Sequence, residues 1–395
     1  MRVLIAPDSF KGSLSALEAA QSIERGVHSV FDNAVCDLAP IADGGEGTVD
    51  ALTAATGGEI RVAAVRGPLG KPVEARWGLL GNSRAAVVEM AAASGLPLLK
   101  PEERDPLRAD TYGTGELIRA ALAALHDPAR GVEKADDVHD KPTLIIGIGG
   151  SATNDAGSGA LRALGLRFLD ASGKELEPGG AALAGLVRID YTGIEPLLAK
   201  TRIRVACDVD NPLTGERGAS AVFGPQKGAT PDMVRQLDAA LTRFAEVARE
   251  STGKDLAATP GAGAAGGLGA GLLFFAGAKL EPGIDIVLEA TGLAARAASV
   301  DLVITGEGRS DFQTAYGKAP VGVAKIAKRH GKPVICISGA LGPGVEALYD
   351  QGIDALAAVV CSIDSLEHYM EHAGMLLENT AARACRMLRV GMGLG

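Results

Sequence analysis

Five short stretches of this chain set carboxylates, glycines and a cation or hydroxyl side by side, each close behind an apolar run. In Gly147-Ile148-Gly149-Gly150-Ser151-Ala152-Thr153-Asn154-Asp155, glycines follow the apolar run Leu144-Ile145-Ile146 and polar side chains follow the glycines. A buried strand, a glycine turn and a helix starting near Ala156 would gather backbone N–H groups and the positive end of a helix around one small volume. Such a volume is an anion cradle, and phosphate is its usual guest. Gly149, Gly150, Ser151, Asn154 and Asp155 are the residues expected to line it.

The other four stretches carry related chemistry. Asp8 and Lys11 follow the first apolar run, at the strand end where open α/β sheets bind ligands. Lys11 reads as a compact positive charge for a phosphate or carboxylate, or as a partner of Asp8 that fixes the turn. Asp43-Gly44-Gly45-Glu46 brings a carboxylate next to bare backbone, and Glu46 opens a helix, where the dipole favours an acid. Asp208 and Asp210 are separated by one residue after a strand-like run. Hard oxygen ligands there suit Mg2+, and on a continuing strand the two would point the same way. Turn chemistry alone also favours Asp, Asn and Pro, so both readings stand. Lys227, in Phe223-Gly224-Pro225-Gln226-Lys227-Gly228, adds a candidate anion-binding cation. The fifth stretch holds Glu307, Arg309 and Asp311, with Lys318 a little further on. An arginine fork there would read a carboxylate or phosphate with two parallel bonds. The histidines lie away from these motifs, and His368 and His372, four apart, read as a solvated helix face rather than a zinc site.

These loops need a scaffold. Apolar strand candidates at 2–6, 34–38, 302–305, 334–338 and 355–361 alternate with helical patterns at 14–31, 321–330, 344–351 and 366–388. That alternation predicts a parallel sheet covered by helices, with Ser13 as the first helix cap. Between them, close-spaced strands at 60–65, 73–79 and 85–90 read as antiparallel hairpins, followed by helices at 114–125 and 233–250. The expected fold class is α/β. A discontinuous parallel-sheet domain (1–58 and 285–395) carries an inserted mixed-sheet α/β domain (59–284) with the phosphate loop. Residues 126–141 read as an exposed loop.

Composition narrows the function. A chain of 395 residues suggests two domains. Its 53 glycines are nearly double the usual ~7%, in short clusters, which points to many tight loops or close ligand approaches. A net charge of −9 and 4% aromatic residues argue against a nucleic-acid surface. Five scattered cysteines without a CxxC pair suggest free thiols in a reducing cytoplasm, and the N-terminal residues show no signal peptide. The uncharged span 256–278 reads as a glycine loop and a short buried helix rather than a membrane segment. One rival reading arises from Gly147, Gly149 and Ala152, which with Asp170 imitate a dinucleotide fingerprint and suggest an NAD-dependent dehydrogenase of a small hydroxy acid. A catalytically silent anion-binding protein is a third reading.

The motifs together carry a resemblance. APDSFKGSLSA from Ala6, ADGGEGT from Ala42, MAAASGL from Met90, TYGTGELI from Thr111, GIGGSATNDAG from Gly147, CDVDNPL from Cys207, VFGPQKGA from Val222 and GEGRSDFQT from Gly306 resemble the bacterial type 1 glycerate kinases. Ser310 departs from the family, which usually has an aliphatic residue there, and Phe312 stands where a small residue is common. The resemblance implies a flavodoxin-like domain with an inserted α/β domain, and transfer of the ATP γ-phosphoryl group to D-glycerate with Mg2+. Members similar to this chain generally form 2-phosphoglycerate. On that reading the loop 149–155, Lys11 and Lys227 hold phosphates, and Asp208 and Asp210 hold Mg2+ or orient its waters. Arg309, with Glu307, Asp311 and Lys318 beside it, grips the glycerate carboxylate or the moving phosphoryl group. Asp43 or Asp8 accepts the hydroxyl proton. ATP and D-glycerate are the expected partners, with no nucleic acid or membrane; the oligomeric state is open.

Overall fold

Val3, Leu4, Ile5 and Ala6 are fully buried, the pattern of a strand covered on both faces. The computed structural model describes residues 1–42, 44–45, 47–81, 84–130 and 141–393. Among these, thirteen strands follow one another: β1 (Arg2–Pro7), β2 (Val35–Leu38), β3 (Glu59–Arg66), β4 (Pro72–Leu79), β5 (Ala85–Glu89), β6 (Thr143–Gly147), β7 (Arg167–Leu169), β8 (Arg188–Asp190), β9 (Arg202–Ala206), β10 (Lys279–Glu281), β11 (Leu302–Ser310), β12 (Val334–Leu341) and β13 (Ala355–Ala358). The chain divides into two units, one of Met1–Asp43, Asp50–Gly57 and Ile284–Gly395, the other of Gly44–Val49 and Gly58–Gly283. The segment Gly44–Val49, which the sequence reading kept in the first domain, is therefore part of the second.

In the first unit every strand pair is parallel, in the order β13-β12-β11-β1-β2. Successive strands run to one side from β1 to β2 and then to the other from β11 to β13. The winding thus reverses between β1 and β11, where Ala6 lies opposite Thr305 and Pro7 opposite Gly306. Open α/β sheets bind ligands at the carboxyl ends of strands at such a reversal. The helix Ala16–His28 buries Ala16, Ala19, Ala20, Ile23 and Val27, a stripe at helical spacing. Its cap is Ser15 rather than the expected Ser13. Ser15 Oγ accepts from Glu18 N while Ser15 N donates to Glu18 Oε2, a reciprocal box that Ser13 cannot make. The Ser13 hydroxyl donates instead to Phe10 O. At Gly26 a Cβ would lie 2.4 Å from Glu378 O, so only glycine lets this helix rest on the helix Ala373–Met392.

The second unit holds a six-stranded mixed sheet in the order β10-β9-β6-β5-β4-β3. β3, β4 and β5 pair antiparallel, and β5, β6, β9 and β10 pair parallel. β6 is central, which is why its sequence reads as an unbroken apolar run. The helix Tyr112–Leu125 buries Leu117, Ile118, Ala121, Leu122 and Leu125 in a core shared with β4–β6 and β9.

Some expectations need correction. β7 and β8 form a separate two-stranded ribbon, and β8 is too short to show a period. The helices Gly283–Ala290 and Leu293–Ala298 were not expected. The stretch expected as a helix at 344–351 is a 3-10 turn, Val345–Gln351, and the last helical stretch is two helices, Leu366–Glu371 and Ala373–Met392. Most of the expected exposed loop, 131–140, lies outside the described residues. The uncharged span holds the helix Ala264–Phe275, with left-handed backbone at Ala265, Gly266 and Gly267. No helix among the described residues is long and apolar enough to cross a membrane.

Candidate active site

The loop after β6 divides into an open part and an interior part. Gly149 and Gly150 are exposed, and neither N–H meets an acceptor among the described residues. From Ser151 to Gly157 every residue is buried. Asp155 Oδ2 accepts from Thr111 N (3.0 Å), Thr111 Oγ1 (2.8 Å) and Gly159 N (3.0 Å), and Oδ1 accepts from Gly157 N (3.1 Å). The carboxylate thus caps the helix Ser158–Ala163 from within and pins it to Thr111. Asp110, next in the chain, feels this charge. Burial and then Asp155 push its carboxyl up, while the Tyr112 N–H and the Arg66 guanidinium at 2.8 Å oppose them.

Lys227 completes the interior part. It is 1% exposed, and its Nζ donates to Ser151 Oγ and Thr153 O, both at 2.7 Å. Burial pushes its ammonium down to about 7, against the pull of Asp155. Asn154 Nδ2 donates to Ser220 Oγ (2.9 Å), while Asn154 Oδ1 and Thr153 Oγ1 are buried without a hydrogen-bond partner among the described residues. Gly266 makes the close packing possible. Its φ is +66°, and a Cβ there would sit 2.0 Å from Thr153 O.

The second and fourth loops meet this one in the same unit. A Cβ on Gly44 would fall 2.6 Å from Ala206 Cβ, and one on Gly149 would fall 3.4 Å from Gly45 Cα. Gly44 and Gly45 thus lie over the ends of β9 and β6. Glu89 Oε1 accepts from Val49 N (2.7 Å) and fixes the exit of the loop. Asp43 and Glu46 lie outside the described residues. The two aspartates after β9 part company because the strand ends at Ala206. Asp208 Oδ1 accepts from Gly283 N (2.9 Å), whereas both oxygens of Asp210 accept from Arg217 Nη2 (3.0 and 2.9 Å) on the surface.

In the first unit, the first and fifth loops meet at the winding reversal. Asp8 N donates to Gly306 O (2.8 Å), and a Cβ on Gly308 would lie 3.4 Å from Lys11 N. Asp8 is buried, and its Oδ1 accepts from Ser9 N (2.6 Å). Lys11 is exposed and makes no ion pair with Asp8. Glu307 is 7% exposed at the end of β11. Its Oε1 accepts from Ser310 Oγ (2.8 Å) and Thr314 Oγ1 (2.7 Å). Burial pushes its carboxyl up, and the two hydroxyls and Lys318 offset that. Arg309 is exposed, with Asp311 Oδ2 3.5 Å from its Nε.

Comparison with known proteins settles the class. A sequence profile described as the Glycerate kinase family matches residues 3–389. The chain belongs to the glycerate kinase family. It is 54% identical to a glycerate kinase of Bacillus subtilis strain 168, over 96% of each chain. It is 48% identical to the glycerate 2-kinase of Escherichia coli strain K12, over 100% of this chain and 99% of that one. The crystal structure of a protein assigned as glycerate kinase 2 from Salmonella typhimurium LT2 is 49% identical and superposes with a TM-score of 0.88, covering 100% of this chain and 99% of that one.

Family membership and geometry together sort the expected residues. The dehydrogenase reading falls: Asp170 ends the separate β7 ribbon and holds its own turn, accepting from Ser172 N, Ser172 Oγ and Lys174 N. Of the expected cradle, Gly149 and Gly150 face outward. Ser151, Asn154, Asp155 and Lys227 bond within the interior and brace the loop, because a neighbouring strand, helix and turn supply donors and acceptors for them there. Asp208 and Asp210 lie against different donors, Gly283 N and Arg217 Nη2. Among the described residues the group with metal-type ligand atoms close together is Glu24, His28 and Cys36, a mixed oxygen, nitrogen and sulfur set rather than the oxygen ligands that Mg2+ takes. Glu307, Arg309, Asp311 and Lys318 do gather around one strand end. Sequence reading missed the hydroxyls of Thr111, Thr314 and Ser338. Thr111 and Thr314 sit inside the quoted motifs, and their proximity to glycines and acids was the signal. Ser338 lies in an apolar strand run and gave none.

Proposed function

We propose that the protein transfers the γ-phosphoryl group of ATP to a hydroxyl of D-glycerate, and that the product is 2-phosphoglycerate. The observation that carries this reading is full-length similarity to the family, including a relative named for the 2-position at 48% identity. Phosphoryl transfer needs positioning and neutralisation of charge more than covalent chemistry from the protein. On the second unit, the open N–H groups of Gly149 and Gly150 supply donors for phosphate oxygens. On the first unit, Lys11, Arg309 and Lys318 supply positive charge for a carboxylate or phosphate. Ser151, Asn154, Asp155 and Lys227 hold the phosphate loop in shape. Asp8 and Asp43 are further acids of the family motifs. Asp208 and Asp210 are held by Gly283 N and Arg217 Nη2 and carry no part in this reading. Free cysteines throughout the described residues accord with a cytoplasmic setting.

The test is ADP release coupled to D-glycerate addition, with chromatography of the product against both phosphoglycerates. ADP formation that requires glycerate and yields the 2-isomer is expected. Purified protein that leaves ATP intact in the presence of glycerate would overturn the reading, and the 3-isomer would overturn its regiochemistry.

A further inference from the structure

One buried acid divides its hydrogen bonding unevenly between its two oxygens. Glu307 Oε1 is held by two hydroxyl donors, and no described residue donates to Oε2. The side chain sits at the carboxyl end of β11, beside the winding reversal, in the same loop pair as Lys11 and Arg309. We infer that Glu307 is the catalytic residue that takes the hydroxyl proton of the acceptor, and that Ser310 is the positioning residue that holds it for this task. This rests on the kinase reading proposed above.

The hydrogen-bond chain supports a direction. An ionised carboxylate only accepts, so Ser310 must donate its single proton to Glu307. Ser338 Oγ, 2.7 Å away, must then donate to Ser310. Cys336 Sγ lies 3.5 Å from Ser338 Oγ and can close the chain as a weak donor. Every proton in this chain points toward Oε1. Oε2 can therefore gain a proton without any of these bonds being rearranged. In the step, the acceptor hydroxyl oxygen bonds to the γ-phosphorus and the bond to the β–γ bridging oxygen breaks. ADP leaves with that electron pair, and the hydroxyl proton passes to Glu307 Oε2 and then to solvent.

The surroundings pull on the Glu307 carboxyl in both directions. Burial raises the Glu307 pKa, and Asp311 on the following turn adds to it. Thr314, Ser310 and the Lys318 ammonium at the start of the helix Ala319–Arg329 lower it. Arg309 faces Asp311 and damps its effect. Cys336, on β12, is itself pushed up to about 11, first by its burial, so it stays a neutral thiol. Asp8, by comparison, is engaged by the Ser9 N–H in its own turn.

The test measures kcat/KM for glycerate from pH 5.5 to 9 in wild type, Ser310→Ala, Ser310→Thr and Glu307→Gln. Loss of one hydroxyl bond to a charged group should move the acid limb of Ser310→Ala upward by about 0.5–1 pH unit. Rates should converge with wild type at high pH, and Ser310→Thr should restore the limb. Glu307→Gln should lower kcat by about 10²–10⁴-fold with little change in KM. If Ser310→Ala proves unstable, Ser310→Cys keeps the volume with a weaker donor and should shift the limb in the same direction. An unmoved limb, a retained kcat in Glu307→Gln, or a raised KM with kcat unchanged would each overturn the inference. A wild type that forms no ADP would instead refute the kinase reading.

Discussion

Replacing Lys227 with methionine should remove a pH dependence from the stability of the second unit. The ammonium is wholly interior and burial pushes it down to about 7, while the unfolded chain keeps it near its ordinary 10.5. Between those two values the unfolded state holds a proton that the folded state has shed. Stability therefore rises with pH across this window and is level below about 7, where both states are protonated. The slope is about 1.4 kcal/mol per pH unit, or roughly 3 kcal/mol from pH 7.5 to 9.5. Lys227→Met abolishes that term. It also removes the donor to Thr153 O and Ser151 Oγ, a loss of about 1–3 kcal/mol that shifts the curve without tilting it. The only tryptophan, Trp77, is buried in β4 of this same unit, so its fluorescence during urea unfolding reports the right transition. The stability of wild type minus that of the variant should climb steadily over the window. Parallel curves at pH 7.5, 8.5 and 9.5 would show that the ammonium stays charged in the fold and refute the reasoning.

Other substitutions probe the same loops. Gly266→Ala should destabilise the second unit by about 3 kcal/mol or more, since the backbone is left-handed and the new Cβ would overlap Thr153 O; an unchanged Trp77 unfolding midpoint would contradict this. Asp155→Asn replaces a carboxylate accepting from four donors with a group holding one acceptor oxygen. It should cost about 2–4 kcal/mol by the same measurement, whereas a direct phosphate or metal contact would weaken nucleotide affinity and leave stability intact. Asp210→Asn disrupts only an exposed pair with Arg217, in which its own side chain is 73% exposed. Stability should change by less than about 1 kcal/mol and the magnesium dependence of the rate by less than about twofold; a large rise in the magnesium requirement would restore Asp210 as a ligand.

The strands of both sheets are legible in the sequence because burial on two faces leaves a local mark. Val3-Leu4-Ile5 and Leu144-Ile145-Ile146 are apolar without interruption, while β3 and β4 alternate and turn at Gly67. The loops are legible too, since each strand end carries glycines and acids that no core could absorb unpaired. The shortest elements escape, because three residues of β8 or β10 cannot show a period. Ser310 was visible as an oddity of type, and its meaning appears only when Ser338 and Glu307 stand beside it.

What the amino-acid order settles by itself is which segments form the sheets and which loops carry polar chemistry, since both follow from neighbours a few residues away. Which polar atoms look outward is decided by partners far along the chain. Thr111 reaches Asp155 across 44 residues and Lys227 reaches Ser151 across 76. A buried donor or acceptor takes whatever partner the packing brings within 3 Å, so one carboxylate becomes a helix cap at Asp155 while another, at Glu307, has one oxygen without a donor among the described residues.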